Sequence, residues 1–306
     1  MKALVATGDA VEPVRFAEVE QPQPGPGEVL VKVEAFSVNR GETFQLEAPR
    51  DGWRPGKDVA GLVVQAAADG SGPAVCRRVV GHPPAAGWAE YVCVPVSSLA
   101  ELPDSVDAVR AAALPLAGLT ALRLLRTVGA VAGRRVLLTG ASGGVGHYFT
   151  ELAAAAGAEL TVVTASPERG RRLAELGAAE VVHGLGEARG PYDLVLESTG
   201  GDNLPLALAR LDRRGTLVWF GQASRTPATL DFFDFFAGPE SAALRHFHYA
   251  DSDVPDGEDL ATLVRLVAAG RLTPEIGLVA PWERTATTLT DLRDRRIRGK
   301  AVLTVA

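Results

Sequence analysis

The sequence contains few cysteines and has no excess of basic residues. Its 306 residues include two cysteines, Cys76 and Cys93. Two thiols are too few for a disulfide framework or a cysteine-based zinc cluster, and burial as small apolar residues is the simpler expectation. Lysine and arginine number 31 against 37 acidic residues, which gives a net charge of −6. This balance argues against a nucleic-acid partner, because neutralising phosphates requires a basic surface.

Long apolar runs are also missing. No stretch reaches the roughly 18 uncharged residues expected of a membrane-spanning helix. Asp9 and Glu12 follow the short apolar start too closely for a signal peptide. We therefore expect a cytoplasmic protein without a membrane partner. The length allows two domains, each with its own core.

The most informative stretch is an apolar run at 136–138 followed by a glycine-rich turn. In that turn Ala141, Gly143 and Gly146 give the pattern A-x-G-x-x-G, and a helical apolar pattern follows at once. Strand, glycine turn and helix in this order indicate a dinucleotide site, because glycines let the backbone approach a pyrophosphate and the helix N–H groups face its charge. The alternative is a tight turn that binds nothing. A second apolar strand at 160–164 favours the dinucleotide site.

The two halves of the chain follow different patterns. Short strands separated by Gly/Pro loops are predicted across residues 1–100, as in a small barrel. From residue 135 onward strands and helices alternate, as in an open parallel sheet with helices on both faces. A late strand is predicted at 243–249, and a final strand at 301–305.

Several motifs in this order resemble the zinc-independent medium-chain dehydrogenases/reductases of the quinone oxidoreductase and enoyl reductase type. The motifs are PGPGEVLVKV at 24–33, SVN at 37–39, DVAG at 58–61, WAEY at 88–91, LPLAGLTA at 114–121, the glycine turn, and GKAVL at 299–303. The resemblance implies an α/β fold. A GroES-like β-barrel catalytic domain would comprise 1–106 and 251–306, and a Rossmann NADPH-binding domain with a doubly wound parallel sheet would comprise 107–250. It also implies a homodimer paired through the last Rossmann strands.

The zinc ligands of alcohol-oxidising members of this superfamily have no counterpart here. The resemblance places Ser37, Val38 and Asn39 where the first catalytic cysteine would be, and Lys57-Asp58 where Gly-His-Glu would be. No bound metal is therefore expected. Because the metal stabilises the alkoxide in alcohol oxidation, hydride delivery to an enone or quinone is the expected reaction.

The end of the second Rossmann strand favours NADPH as the cofactor. An acidic residue there would bind the ribose diol of NAD, but the strand ends in Thr164, Ala165 and Ser166. Ser166 is also a candidate N-cap, with Pro167 at the first helical position. That role leaves Ser166 and Arg169 able to bind a 2′-phosphate as well.

The substrate site departs from the family pattern S-V-N-x-x-D-x-Y. Asn39 is retained as the candidate catalytic residue, a donor to the substrate carbonyl or to a nicotinamide ribose, with a loop cap as its alternative. Glu42 replaces the aspartate and Phe44 the tyrosine, and both are assigned to the substrate pocket. Glu42 is a candidate to orient Asn39 or Arg40, with a solvated carboxylate as an equal alternative. The candidate cofactor-binding residues are Thr120 and Lys300, which the resemblance implies, and Ser142, Gly143, Gly144, Val145, Gly146, Thr164, Ser166, Arg169, Phe220 and Gly221.

The leading hypothesis is an NADPH-dependent reductase of an α,β-unsaturated carbonyl or a quinone. Two alternatives stay open, since Phe44 lacks the hydroxyl of the family tyrosine. One is an NADPH-binding protein without turnover, acting as a sensor or structural subunit. The other is a tailoring reductase for one bulky biosynthetic intermediate.

Two further features have alternatives of their own. Lys300 could simply be a surface lysine. The four phenylalanines at 232, 233, 235 and 236 are expected to pack under a loop, with a pocket lid or an interface as alternatives.

Overall fold

A computed structural model describes residues 1–305 of the chain. Its strands are β1 Lys2–Ala6, β2 Val14–Glu18, β3 Glu28–Val38, β4 Asp58–Gln65, β5 Arg78–Gly81, β6 Tyr91–Pro95, β7 Leu99–Glu101, β8 Arg135–Leu138, β9 Glu159–Val163, β10 Glu180–Val182, β11 Tyr192–Glu197, β12 Leu211–Trp219, β13 Ala243–His246, β14 Ile276–Pro281 and β15 Lys300–Thr304. Its α-helices are α1 Arg40–Glu47, α2 Ala108–Ala112, α3 Pro115–Val128, α4 Gly144–Ala155, α5 Pro167–Glu175, α6 Asn203–Leu208, α7 Asp256–Ala268 and α8 Thr285–Arg293.

The chain divides into two compact units. The first comprises residues 1–119 and 253–306, and the second comprises residues 120–252. The first division falls inside α3, whereas the sequence motifs place it at 106/107; the second falls two residues after the predicted 250/251.

The first unit is built around β3, the longest strand. This strand pairs antiparallel with β15, β4 and β6 within a sheet ordered β14-β15-β3-β4-β5-β7. Its side chains alternate over four positions: Val31 and Val33 are buried, whereas Lys32 and Glu34 are exposed. The last strand, β15, thus returns the C-terminal segment to the centre of this unit.

The second unit holds a six-stranded sheet ordered β10-β9-β8-β11-β12-β13, and every pair in it is parallel. This is the strand order of a Rossmann sheet, whose ligand crevice opens where the order reverses. Here the reversal lies between β8 and β11. The predicted alternation of strands and helices is confirmed, and the glycine turn follows β8 at the reversal.

Pro115 is the first residue of α3, where its fixed φ and missing N–H are tolerated. Some local expectations are wrong. Cys76 is exposed rather than buried, because it sits in a turn with φ of 69° just before β5. Phe235 packs on the sheet core as expected, but its three aromatic neighbours, Phe232, Phe233 and Phe236, are 61–72% exposed.

The edge strand β13 is shorter than the predicted strand at 243–249, and all four of its residues are exposed. It pairs with β12 on one side and ends the sheet on the other. Across residues 1–305, no helix has both the length and the apolar character that a membrane crossing requires.

Candidate functional site

A buried carboxylate, Asp58, organises the polar residues of the first unit. Asp58 begins β4, and its side chain is fully buried. Five donors surround its two oxygens. Those on Oδ2 are Ser37 Oγ at 2.7 Å, Asn39 Nδ2 at 2.8 Å and Lys300 Nζ at 3.1 Å, and those on Oδ1 are the Leu116 N–H at 3.0 Å and His82 Nδ1 at 3.4 Å.

His82 contacts Asp58 through a nitrogen that must carry a hydrogen. Nδ1 lies 2.9 Å from the carbonyl oxygen of Lys57 and 3.4 Å from Asp58 Oδ1. Both partners are acceptors, so Nδ1 is the donor. Burial works against the charged form of Asp58, but Lys300, His82 and Asn39 outweigh it and hold the pKa of Asp58 below its usual range.

Lys300 is buried, which excludes a surface lysine. Its side chain is 3% exposed, and Nζ lies within hydrogen-bonding distance of Asn39 Oδ1 at 2.5 Å, Asp58 Oδ2 at 3.1 Å and the Val38 carbonyl at 3.5 Å. An ammonium has three hydrogens, and three acceptors of the first unit receive them. A cofactor contact by Lys300 is thus still a prediction. Such a contact would compete with these three hydrogen bonds for the ammonium.

Asn39 and Glu42 form the entry to α1. Asn39 is the N-cap residue, and its backbone N–H donates to Glu42 Oε2 at 2.9 Å. Glu42 Oε1 accepts from the Gly56 N–H at 3.0 Å. Glu42 is 2% exposed, so the solvated alternative is wrong. Burial and the neighbouring charge of Asp58 raise the pKa of Glu42 to about 8.

Phe44 lies two positions beyond Glu42 on α1, and its side chain is 36% exposed. Residues two apart on a helix do not face the same way. The structure therefore brings Asn39, Glu42 and Lys300 together, while Phe44 stands apart from their hydrogen bonds. Its assignment to the substrate pocket stays a prediction.

In the second unit the glycine turn is as tight as a dinucleotide motif requires. Gly140 has φ of 62°, and Gly143 is the N-cap of α4. A Cβ on Gly146 would lie 2.2 Å from the Ala141 carbonyl oxygen, so no larger residue fits there. The start of α4 thus follows directly on the carboxyl end of β8, where the first N–H groups of a helix have no partner within the helix.

Glu197, which the sequence patterns did not single out, lies on the other side of the strand reversal from the glycine turn. It ends β11 with its carboxylate fully buried. Oε1 accepts from Thr139 Oγ1 at 2.9 Å and the Thr199 N–H at 2.8 Å, and Oε2 accepts from the Gly200 N–H at 2.9 Å. A glutamate between a buried apolar strand and the glycine pair 200–201 is the sequence signal that could have found it.

Other predicted cofactor residues lie at the carboxyl ends of neighbouring strands. Thr164 follows β9, is buried, and its Oγ1 has no hydrogen-bond partner. Ser166 is the N-cap of α5 with Pro167 at the first position, as predicted, and Arg169 lies in the first turn. At the end of β12, the Phe220 N–H donates to the Glu197 carbonyl at 2.9 Å, and Gly221 packs on Ser198 so closely that a Cβ would lie 2.9 Å from its carbonyl.

The remaining assignments occupy the turn itself and α3. Ser142 and Thr120 are 8% and 7% exposed, and Gly144 and Val145 form the first turn of α4. Their contacts with a cofactor stay predictions, as does the absence of a metal. Among residues 1–305 no group of three or more His, Cys, Asp or Glu side chains is arranged to hold a metal ion.

Two family models match the chain on either side of the glycine turn. The model described as the alcohol dehydrogenase GroES-like domain matches residues 25–104, and that described as zinc-binding dehydrogenase matches residues 175–303. The first match covers β3 to β7, and the second runs from the end of α5 through β10 to β13 and on to β15. The chain belongs to the medium-chain dehydrogenase/reductase superfamily.

Relatives of this medium-chain dehydrogenase/reductase have more than one activity in their names. The chain is 29% identical to the quinone oxidoreductase of Pseudomonas aeruginosa, over 95% of both chains. It is 26% identical to an alcohol dehydrogenase of Geobacillus stearothermophilus, over 99% of this chain and 98% of the relative. A mycobacterial structure complexed with NADPH superposes with a TM-score of 0.90 at 28% identity, covering 99% of each chain. The chain is thus an oxidoreductase of the quinone oxidoreductase type.

Glu42 gives this dehydrogenase/reductase a stability that depends on pH. Its folded-state pKa of about 8 lies above the ordinary value of 4.5. The stability that the bound proton contributes is fully present below the ordinary value and is lost as pH rises through about 8. Relative to Glu42→Gln, which does not titrate, the wild type should lose up to about 1.4 kcal/mol of unfolding free energy per pH unit across this window.

Urea denaturation of both proteins at pH 5, 6.5 and 8 measures the difference. The new amide of Glu42→Gln can shift the unfolding free energy by the same amount at every pH, and such a shift does not change its slope against pH. Glu34→Gln is the matched control, because Glu34 is exposed on β3 and should retain the wild-type profile. Parallel profiles for the wild type and Glu42→Gln would show that Glu42 does not bind a proton on folding.

Proposed function

We propose that this protein is an NADPH-dependent, zinc-independent reductase of an activated C=C bond in an α,β-unsaturated carbonyl, or of a quinone. The observation that carries the proposal is the glycine turn at the strand reversal between β8 and β11, where the Cβ of any larger residue at Gly146 would meet backbone. The 28% identical mycobacterial structure complexed with NADPH supports the choice of cofactor.

The second unit offers the groups that an adenine dinucleotide needs. The partial positive charge at the N-terminus of α4 attracts an anion such as a pyrophosphate. Gly143, which has no side chain, leaves room for that group at the turn. The unpartnered Thr164 Oγ1 and the half-buried Ser166 lie at the end of β9, where an adenosine ribose binds in Rossmann sheets. The residues present therefore fit the cofactor.

The first unit supplies the polar residues for the acceptor. NADPH, when bound, supplies the hydride from its nicotinamide C4. As the β-carbon accepts hydride, negative charge develops on the carbonyl oxygen, and a positioned donor stabilises it. Asn39 Nδ2 is that donor in our proposal, because its contact with Glu42 Oε2 is long, at 3.5 Å, and leaves one hydrogen weakly engaged. Solvent then protonates the α-carbon.

Two other functions compete with this proposal. A protein that holds NADPH without turnover would share the second unit and differ only in the first. A tailoring reductase for one bulky intermediate would use the same chemistry with a narrower substrate range. Phe44, which has no acidic hydrogen, is compatible with each.

Turnover distinguishes the reductase from the binding protein. The wild type should consume NADPH when offered a panel of enones and quinones, with one saturated C=C or one hydroquinone formed per NADPH. Gly143→Val, which places a branched side chain at the turn, should abolish both binding and consumption. Tight NADPH binding without consumption across the panel would instead support the non-catalytic alternative.

Arg169 provides the test of cofactor choice. We propose that it contacts the 2′-phosphate from the first turn of α5, and a charge-assisted contact of this kind contributes about 1.5–3 kcal/mol. Arg169→Ala should therefore weaken NADPH binding by roughly one to two powers of ten and leave NADH binding almost unchanged. Calorimetry with both cofactors measures this. Equal losses for the two would assign Arg169 to the fold, and a wild type that prefers NADH would overturn the assignment.

We also propose a homodimer formed through β13. An exposed strand at the end of a sheet is a liability unless it is paired or covered, and all four residues of β13 are exposed. Light scattering at micromolar concentration should give twice the chain mass of 32.0 kDa. Leu244→Lys, which places a charge on β13, should shift the protein toward the monomer, whereas a monomeric wild type would contradict the proposal.

A further inference from the structure

The carboxamide of Asn39 lies between two opposite charges. Its oxygen accepts a hydrogen bond from Lys300 Nζ at 2.5 Å, and its nitrogen donates one to Asp58 Oδ2 at 2.8 Å. Lys300 and Asp58 are themselves 3.1 Å apart. The three side chains are 7%, 3% and 0% exposed, so water does not compete for these bonds.

This arrangement permits one orientation of the amide. Rotating the carboxamide by half a turn would place its N–H groups against the ammonium of Lys300 and its oxygen against the carboxylate of Asp58. Both contacts are repulsive, and low dielectric in a buried site makes them costly. Charge-assisted bonds are also the stronger class of hydrogen bond. The ion pair therefore acts on the direction in which the Asn39 N–H groups point.

The sheet register brings the three residues to the same place. Val38 pairs with Ala301 across β3 and β15, and Ser37 pairs with Asp58 across β3 and β4. Lys300 and Asn39 are adjacent in sequence to the β3–β15 pair, although 261 positions separate them along the chain. Ser37, His82 and the Leu116 N–H hold the Asp58 carboxylate from its other sides, which keeps the anion itself from rotating.

We propose that Lys300 and Asp58 are positioning residues that lock the Asn39 carboxamide with its second amide hydrogen toward the substrate carbonyl. The proposal rests on the function proposed above for Asn39. It gives Lys300 a role in the first unit in place of the cofactor contact expected from the sequence. Since its three hydrogens already meet three acceptors, that role uses the full donor capacity of the ammonium.

The chain is well suited to a direct measurement of the amide, because it contains two asparagines, Asn39 and Asn203. Asn203 is exposed at the start of α6 and serves as an internal reference. With ¹⁵N-asparagine labelling, the correlation spectrum contains two side-chain NH₂ pairs. In the wild type the Asn39 pair should exchange with solvent slowly and the Asn203 pair fast.

In Lys300→Met the Asn39 pair should shift and exchange at least about tenfold faster, as expected when a charge-assisted bond is lost, and the Asn203 pair should not change. Lys32→Met is the matched control, since Lys32 is exposed on β3; both pairs should keep their wild-type behaviour. An unchanged Asn39 pair in folded Lys300→Met would overturn the proposal whatever the activity.

A double variant separates positioning from stability. Either single change, Asp58→Asn or Lys300→Met, leaves an unpaired buried charge and should lower the melting temperature. The double variant has neither charge and should recover much of that loss. Its kcat should nevertheless stay at least about tenfold below wild type with the KM for NADPH unchanged, because the amide is free to rotate. If Lys300→Met alone does not fold, the spectra are recorded on the double variant.

The outcomes are distinguishable from failure of the proposed function. Recovery of kcat together with the melting temperature would make the pair purely structural and overturn the proposal. Loss of NADPH binding by Lys300→Met in calorimetry would make Lys300 a cofactor residue and overturn it as well. A wild type that reduces none of the enones or quinones refutes the proposed function, and the asparagine spectra still decide whether the ion pair orients the amide.

Discussion

The first unit depends on keeping one anion, the carboxylate of Asp58, away from water. Removing a carboxylate from water is costly unless donors replace the lost hydration. Here the donors come from β3, β15, the turn after β5 and the start of α3. Segments from both ends of the chain must therefore be in place before this charge is satisfied. The same requirement that makes the site rigid makes its assembly a long-range event.

The anion then determines the state of its neighbours. Lys300 compensates Asp58 directly, so the pair is neutral, and a second negative charge nearby has no cation of its own. Burial and, to a smaller extent, the charge of Asp58 therefore raise the pKa of Glu42 to about 8. Two carboxyl groups with pKa values pushed in opposite directions are a recurring mark of functional sites. The neighbouring carboxyls are thus held in opposite states, with the proton favoured on Glu42 and the charge favoured on Asp58.

Sequence patterns predict the parts of this structure that depend on short distances along the chain. The glycine turn at 140–146 and the N-cap at Ser166 are local, and the structure confirms them. The contact of Lys300 with Asn39 spans 261 positions, and no periodicity reports it, because it depends on how β15 pairs with β3. Motif resemblance marked both residues as interesting but gave Lys300 a different partner, since a motif carries no register.

The two departures from the family pattern on α1 differ in physical meaning. Glu42, one methylene longer than the aspartate it replaces, reaches both the Asn39 and Gly56 N–H groups, so the exchange is absorbed inside the buried hydrogen bonds. Phe44 removes a hydroxyl from a position that is 36% exposed and lies outside those bonds. The buried cluster is thus preserved while the chemistry of the helix surface changes. A change at Phe44 therefore leaves the buried hydrogen bonds of Asn39 and Glu42 in place.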